Sequence, residues 1–504
     1  MSLTDARWAK VVDQTKCIGC HACTTACKSE NDVPLSVTRT YVKSADVGQF
    51  PSVRRAFQVT RCNQCDDAPC VTACPTSAMF RRGDGIVDFD KSACIGCKAC
   101  MAACPYDAIF INPEDHSAEK CNFCAHRIDM GMEPACVVVC PTEALLVGDL
   151  NDPESKVSKA VNQDVVSVRR PDKETKPKLF YKGAHQATLD PLAARRPSGG
   201  LFMWSEQATA ADEVVSGHPA RNNTSAAALL SYDVTHKIPW DWRVSLYTWT
   251  KAISAGAYLA PLIAALGGFL AWENDLWRWM APAVALVFLA LTGLVLIADL
   301  EHPKRFYYIF TRPQWRSWLV RGSVIIAGYG AVLTLHLILS AAGATQPQKW
   351  LAVAGLPLAV AAAAYTAYLF AQAKARDLWQ SPLLGPQMVI QSVMVGAAVA
   401  VLAGHWLAEG AHDGLLWLLA GTSLAHLAAV ATETTLSHPT AHAHLASREL
   451  TRGRYAAYFW PAAALIAVAA FAPLVGLAAA PLALIGLLLY EHAYVQAGQS
   501  VPLA

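Results

Sequence analysis

Past Leu246 the chain is built of long apolar runs separated by short polar turns: 247–272, 279–300, 318–343, 350–370, 387–409, 414–436, 457–478 and 480–496. Each comes close to the roughly 20 residues that an α-helix needs to cross a bilayer. A soluble helical core would not repeat such lengths with so few charges, so eight transmembrane helices are expected. A turn at Pro481 alone parts the last two. Ahead of them, 151–243 turns polar and is broken by Asp152-Pro153, Arg170-Pro171 and His218-Pro219, which predicts an extended, loop-rich connector. Three parts follow: 1–150, 151–243 and 244–504.

Lysine and arginine divide unevenly between the loops. With eight spans, the connector end and the second, fourth and sixth loops share one face. They carry Lys237, Arg243, Lys304, Arg305, Arg312, Arg316, Arg321, Lys374, Arg376, Arg448, Arg452 and Arg454, whereas the opposite loops carry Arg278 and Lys349 and little else. This positive-inside bias places the N-terminal part on the cytoplasmic face of a prokaryotic inner membrane. The first residues agree, lacking the apolar segment of a signal peptide, and Arg54-Arg55 lacks the setting of a twin-arginine signal. With 41 Lys+Arg against 39 Asp+Glu, no basic field is available to hold nucleic acid.

All 16 cysteines lie between Cys17 and Cys140, in four quartets: Cys17, Cys20, Cys23, Cys27; Cys62, Cys65, Cys70, Cys74; Cys94, Cys97, Cys100, Cys104; and Cys121, Cys124, Cys136, Cys140. The first and third fit C-x2-C-x2-C-x3-C, in which three closely spaced thiolates wrap one iron–sulfur cube and the fourth reaches another. Gly19 and Gly96 supply the turn geometry that lets the backbone curl. Proline after Cys74, Cys104 and Cys140 sends the chain onward; Lys28 takes that place after Cys27. A disulfide framework would not need four similar quartets, and a zinc ribbon does not explain a third cysteine at the same short interval.

Four such quartets, the last widened between Cys124 and Cys136, resemble the electron-transfer subunit of the dimethyl sulfoxide reductase and polysulfide reductase class. The resemblance covers about Val11 to Gly148. It implies an α+β ferredoxin-like domain of two pseudo-repeated halves with four 4Fe-4S clusters in a row, ligated crosswise. Cys17, Cys20 and Cys23 pair with Cys140; Cys121, Cys124 and Cys136 with Cys27; Cys62, Cys65 and Cys70 with Cys104; Cys94, Cys97 and Cys100 with Cys74. It also implies a molybdenum or tungsten bis-pterin catalytic partner.

The second loop of the membrane part, Asp299-Leu300-Glu301-His302-Pro303-Lys304-Arg305-Phe306, ending in Thr311-Arg312-Pro313, resembles that of NrfD-like membrane subunits, the quinone-reactive anchors of the same enzyme class. Those are ordinarily separate chains, so this one looks like a fusion: a ferredoxin-like domain followed by an all-α eight-helix transmembrane bundle. Ionisable groups inside spans are expensive and mark function. Asp299, His302, Tyr365 and Glu433 are the candidates for hydrogen bonding and proton relay at a menaquinone or ubiquinone, with Lys251, Tyr258 and His438 as binding groups and Glu491 and His492 nearby. An ion pair between Asp299 and Arg305 is the structural alternative. His336, His405 and His426 raise a rival b-type haem, which the resemblance does not imply.

No substrate-converting motif stands out. The expected role is a relay of electrons between a catalytic partner and membrane quinone, with redox-driven proton or ion pumping as the alternative.

Overall fold

A computed structural model describes residues 6–195 and 228–503. The N-terminal domain opens on β1 (Trp8–Asp13) and α1 (Ala22–Glu30), followed by the long hairpin of β2 (Thr40–Val47) and β3 (Arg54–Arg61). Two similar units come next: α2 (Pro69–Ala73) with β4 (Met79–Arg81) and β5 (Val87–Phe89), then α3 (Ala99–Ala103) with β6 (Ile109–Ile111) and β7 (Ala118–Lys120). Short helices α4 (Ala125–Ile128) and α5 (Ala135–Val138) lead into β8 (Leu145–Asp149). Helix α2 packs on α3, and α1 on α5.

The stretch expected to be an extended connector is partly folded into this domain. After α6 (Lys156–Gln163), β9 (Val166–Ser167) and β10 (Leu179–Lys182) complete a sheet of order β8-β1-β10-β9, in which β10 runs parallel to β1. Beyond α7 (Gln186–Leu189), β11 (Leu229–Tyr232) adds an edge to the β2–β3 hairpin. Leu179 and Tyr181 explain the first insertion: they alternate with half-buried neighbours and bury fully in the core beneath β1, a period-2 pattern too short to stand out among polar residues. The rest of the expected connector, 196–227 with His218-Pro219, lies outside the described residues.

The bundle comprises α8 (Trp242–Leu266); α9 (Ala281–Ala298), entered through a wide turn at Leu276–Met280; the short α10 (Tyr308–Thr311); α11 (Trp318–Ala341); α12 (Thr345–Gln372); α13 (Leu384–Leu407); α14 (His412–Thr435); the amphipathic α15 (Ala441–Thr451); α16 (Ala456–Ala469); α17 (Ala472–Val475); and α18 (Ala479–Ser500). Seven helical runs among the described residues are long and apolar enough to cross a membrane, the last being Ala472–Ser500; α16 is shorter. The turn expected at Pro481 lies instead at Ala470–Phe471. Pro481 stands in the first turn of α18, where its missing N–H leaves no hydrogen bond unmade, so it starts a helix and does not end one.

Helices α8 and α13 form the centre, with 83% and 67% of their apolar windows buried against 22% for α11 on the rim. Their backbones touch where Gly256 meets Gly396. The end of the bundle that carries the starts of α8 and α11 and the ends of α9, α12 and α18 faces the cysteine domain.

Candidate functional site

The cysteine loops are wound alike in pairs. Gly19 and His21 of the first and Gly96 and Lys98 of the third take positive φ near 60–70°, and Gln64 of the second and Phe123 of the fourth are left-handed too. The turns face three sulfurs inward and bring the fourth from another quartet. One cavity is lined by Cys17, Cys20, Cys23 and Cys140. A second is lined by Cys62, Cys65, Cys70 and Cys104. A third is lined by Cys74, Cys94, Cys97 and Cys100. Cys27 faces Cys121, Cys124 and Cys136, and the Asn31 amide reaches both Cys27 and Cys124 at 3.7 Å. These sets are named below by their lowest-numbered member.

The sets follow one another. Arg61 faces both Cys23 and Cys136, Cys62 faces Cys121, and Cys100 faces Cys70. The order is therefore the Cys17 set, the Cys27 set, the Cys62 set and the Cys74 set. The first includes the exposed Cys20 beside exposed Ile18; the last lies against the bundle.

The donor chemistry fits iron–sulfur cubes. All sixteen thiols are unbridged, and among the described residues no three His, Cys, Asp or Glu side chains converge closely enough for a single metal ion. That is the arrangement of sulfurs set around the corners of a cage. Burial, then the neighbouring Cys121 and Cys136, pushes the free Cys27 thiol up to about 12, and burial does the same to Cys65 and Cys104. Cys136 is shifted the other way. Burial opposes its thiolate, but Lys10 and Arg61, the latter donating a hydrogen bond of 3.0 Å, bring it down to about 7. Backbone N–H groups of Gly96 and Ala118 point at Cys94 Sγ, both at 3.4 Å, and that of Ala144 at Cys140 Sγ at 3.3 Å. Arg61 is 2% exposed, and its Nε and Nη2 find no acceptor among the described residues; a cube held by the neighbouring thiols would offer its sulfides as acceptors.

The Cys74 set is fastened to the bundle by the loop after α9. The N–H groups of Glu301 and His302 donate to the carbonyls of Gly96 (3.4 Å) and Ile95 (3.2 Å). The Arg305 guanidinium donates to the carbonyls of Lys91 (3.0 Å) and Cys94 (2.9 Å). Arg305 therefore does not pair with Asp299: the partner of Asp299 is Lys98, at 3.5 Å, which also reaches Glu301 at 3.1 Å. Ser317 and Gln314 bind the carbonyls of Ala73 and Pro75. From the other side Trp240 donates to the Cys97 carbonyl at 3.2 Å and stacks on Phe370 and Trp379.

Gly96 sits at the tightest point of this seam, with φ +69° and room for no Cβ, which would stand 2.4 Å from Glu301 Cβ. Gly131, at φ +72°, has nothing within 4 Å. Replacing Gly131 by alanine should therefore lower stability only by the left-handed strain, about 1–2 kcal/mol, and Gly96→Ala by clearly more. Thermal melts of the two loaded variants check this, and equal losses would refute the crowding.

The bundle residues singled out by sequence do not form one group. Asp299 and His302 lie at the seam, Asp299 7% exposed. Deeper in, Lys251 donates to the Ala363 carbonyl (2.9 Å) and Thr366 Oγ1 (2.6 Å), lies 4.7 Å from the Tyr365 ring centre and faces Glu491. Glu433 accepts from Tyr494 at 3.2 Å, and Tyr494 also donates to the Leu378 carbonyl. His438 stands apart in the turn after α14, its ring neighbour being His444. Tyr258, expected beside Lys251, lies two turns further along α8 among Trp277, Tyr329 and His336. A rise of 1.5 Å per residue carries it about 10 Å away from Lys251, towards the opposite end. His405 and His426 sit beside His412 and Tyr490 respectively.

Sequence reasoning missed Trp240, Phe370 and Trp379, which meet only through long-range packing, and the cationic setting of Cys136. Arg61 carried a signal: an arginine directly before a ligand-type cysteine, at the buried end of its strand.

Comparison with known proteins gives two family matches, a 4Fe-4S dicluster domain over residues 53–150 and the polysulphide reductase, NrfD family over residues 231–482. A tetrathionate reductase subunit of Salmonella typhimurium is 41% identical over 204 residues, 40% of this chain and 80% of the relative. Protein NrfC of Escherichia coli is 43% identical over 183 residues, 36% of this chain and 82% of the relative. Thiosulfate reductase electron transfer subunit PhsB of Salmonella typhi is 48% identical over 157 residues, 31% of this chain and 81% of the relative. The cysteine domain is thus an α+β iron–sulfur domain and the remainder a multi-pass membrane domain, and the chain belongs to the NrfD polysulphide reductase family, with a dicluster electron-transfer subunit fused ahead of its membrane part.

Proposed function

We propose that this chain relays electrons between a molybdenum or tungsten bis-pterin catalytic subunit and a membrane quinone, through four 4Fe-4S clusters held crosswise by the four cysteine sets. The observation that carries the reading is the seam. The Cys74 set, last in the row, is bound through the backbone of its own loop to the segment that bears Asp299 and His302. The names of two relatives, reductase subunits for tetrathionate and thiosulfate, support a partner of that class. Docking of the partner is expected at the Cys17 end, where Cys20, Ile18, Val138 and Val139 are exposed.

Clusters in these cavities supply one-electron transfer along the row. The chain's own residues do the rest. Two pseudo-repeated halves, one built on α1 and α5 and the other on α2 and α3, fix the sulfurs. Eight crossing helices, counting α16, with the iron–sulfur domain cytoplasmic, suit the distribution of lysine and arginine. Asp299 and His302 stand where a quinone carbonyl would meet a proton, and Lys251, Tyr365 and Glu433 offer buried donors and acceptors behind them. Redox-driven proton pumping stays the second reading, favoured by the buried polar groups at the other end, Tyr258 and His336, whose side-chain polar atoms have no hydrogen-bond partner among the described residues.

Asp299→Asn is expected to cut quinone-linked turnover of the assembled complex by about a hundredfold, the usual scale of a lost acid–base group. Activity with an artificial dye should persist. Loss of both together would contradict the assignment.

A further inference from the structure

Two buried cations, Arg61 and Lys10, face the Cys27 set, and neither has a carboxylate partner among the described residues. Arg61 Nη1 donates to Cys136 Sγ at 3.0 Å, leaving Nε and Nη2 without acceptors. Lys10, itself buried, places Nζ 3.9 Å from the same sulfur and 4.2 Å from the centre of the Phe123 ring. Lys120, fully buried, donates to the carbonyls of Val87 and Cys121 and faces Cys62 and Cys70, so its charge belongs to the Cys62 set. Of the other buried cations of the domain, Arg39 is neutralised by Glu119 at 2.6 Å and Lys178 by Asp66 at 3.1 Å, whereas Arg169 donates to the carbonyls of Leu189 and Leu503 and lies over the Tyr106 ring, beside the Cys62 set. At the seam Lys98 is neutralised by Asp299 and Glu301. Unpaired charge in a low-dielectric interior is costly unless an anion is present. Here the anion is the thiolate-bound site itself.

Resting on the four-cluster reading above, we infer that Arg61 and Lys10 raise the reduction potential of the Cys27 set. Uptake of one electron there adds one negative charge, and no proton accompanies it. Fixed positive charges close by stabilise that added charge in proportion to their nearness. Arg61 also faces the Cys17 set through Cys23, so that set shares part of its charge. Arg61 is a positioning residue for charge: it acts through the sulfurs it faces.

The test is a redox titration followed by electron paramagnetic resonance on the full-length chain, purified anaerobically, after iron and acid-labile sulfide have been counted. In Arg61→Met one cluster signal should titrate lower, with at least a tenfold fall in its reduced-to-oxidised ratio at fixed potential, equal to about 59 mV for one electron. Arg61→Lys, which keeps the charge, should restore most of it. Too little iron in the unaltered chain overturns the four-cluster reading. Full iron with unmoved midpoints in Arg61→Met and Lys10→Met overturns the inference alone. An equal downward shift in Arg61→Lys also overturns it, because packing and not charge would then be responsible. Where Arg61→Met fails to load iron, Lys10→Met carries the same expectation and decides it.

Discussion

A valine at Gly256 is expected to abolish the folded membrane domain. A Cβ on Gly256 would stand 1.8 Å from the Ser392 carbonyl oxygen, and one on Gly396 would stand 2.0 Å from that of Gly256. Both obstacles are main chain, so no rotamer change relieves them; α8 and α13 must separate. Helices in lipid gain nothing from the hydrophobic effect by associating, and they depend on close backbone approach through small residues. These are also the two most buried spans, so everything packed on them shifts as well. The loss should exceed about 4 kcal/mol, the range reserved for gross packing failures. Gly293, on α9, has nothing within 4 Å, and Gly293→Val should be close to neutral. Yield, monodispersity in detergent and the thermal transition of the two variants decide it; indistinguishable behaviour would falsify this account of the crossing.

Iron removal is the second large effect. Chelation under reducing conditions is expected to unfold the N-terminal domain while the bundle keeps its helices. The domain's helices are four to nine residues long, far below what is stable without packing. Two of its core clusters are built largely around cysteines: Cys65, Cys70, Cys74, Cys94, Cys100 and Cys104 in one, Cys23 and Cys136 in the other. With the metal gone, those thiols lose the group they enclose, so binding energy and folding energy are the same quantity. Far-ultraviolet circular dichroism should retain most of its helical signal, carried by α8 to α18, while protease resistance of residues 6–195 disappears. An iron-free chain with unchanged protease resistance would defeat the expectation.

What the sequence disclosed follows from the range over which each signal acts. Thiol spacing is local, because three sulfurs on one loop must serve one cage, so the quartets could be read directly. Their crosswise partners, which come from other quartets along the chain, were accessible only through family resemblance, and the structure brings them to shared cavities. Span length and charge bias are also local. Strand pairing is not: β10 enters the sheet beside β1 from the far end of the domain, and no period within Leu179–Lys182 announces it. Depth in the bundle failed in a similar way. Tyr258 shares a helix with Lys251, but two turns of rise put it in another neighbourhood. The pairing of Asp299 with Lys98 in place of Arg305 needed knowledge of which loop of the other domain lies opposite.

The seam joins main-chain hydrogen bonds to apolar packing: Ala73, Ala99, Ala102 and Ala103 share one core with the bundle, and Ile95 packs with Leu300, Ile309 and Val320. A continuous polypeptide holds the halves at an effective concentration of about millimolar, so reclosure outpaces any encounter from solution. One iron–sulfur domain per membrane domain is thereby guaranteed by translation itself.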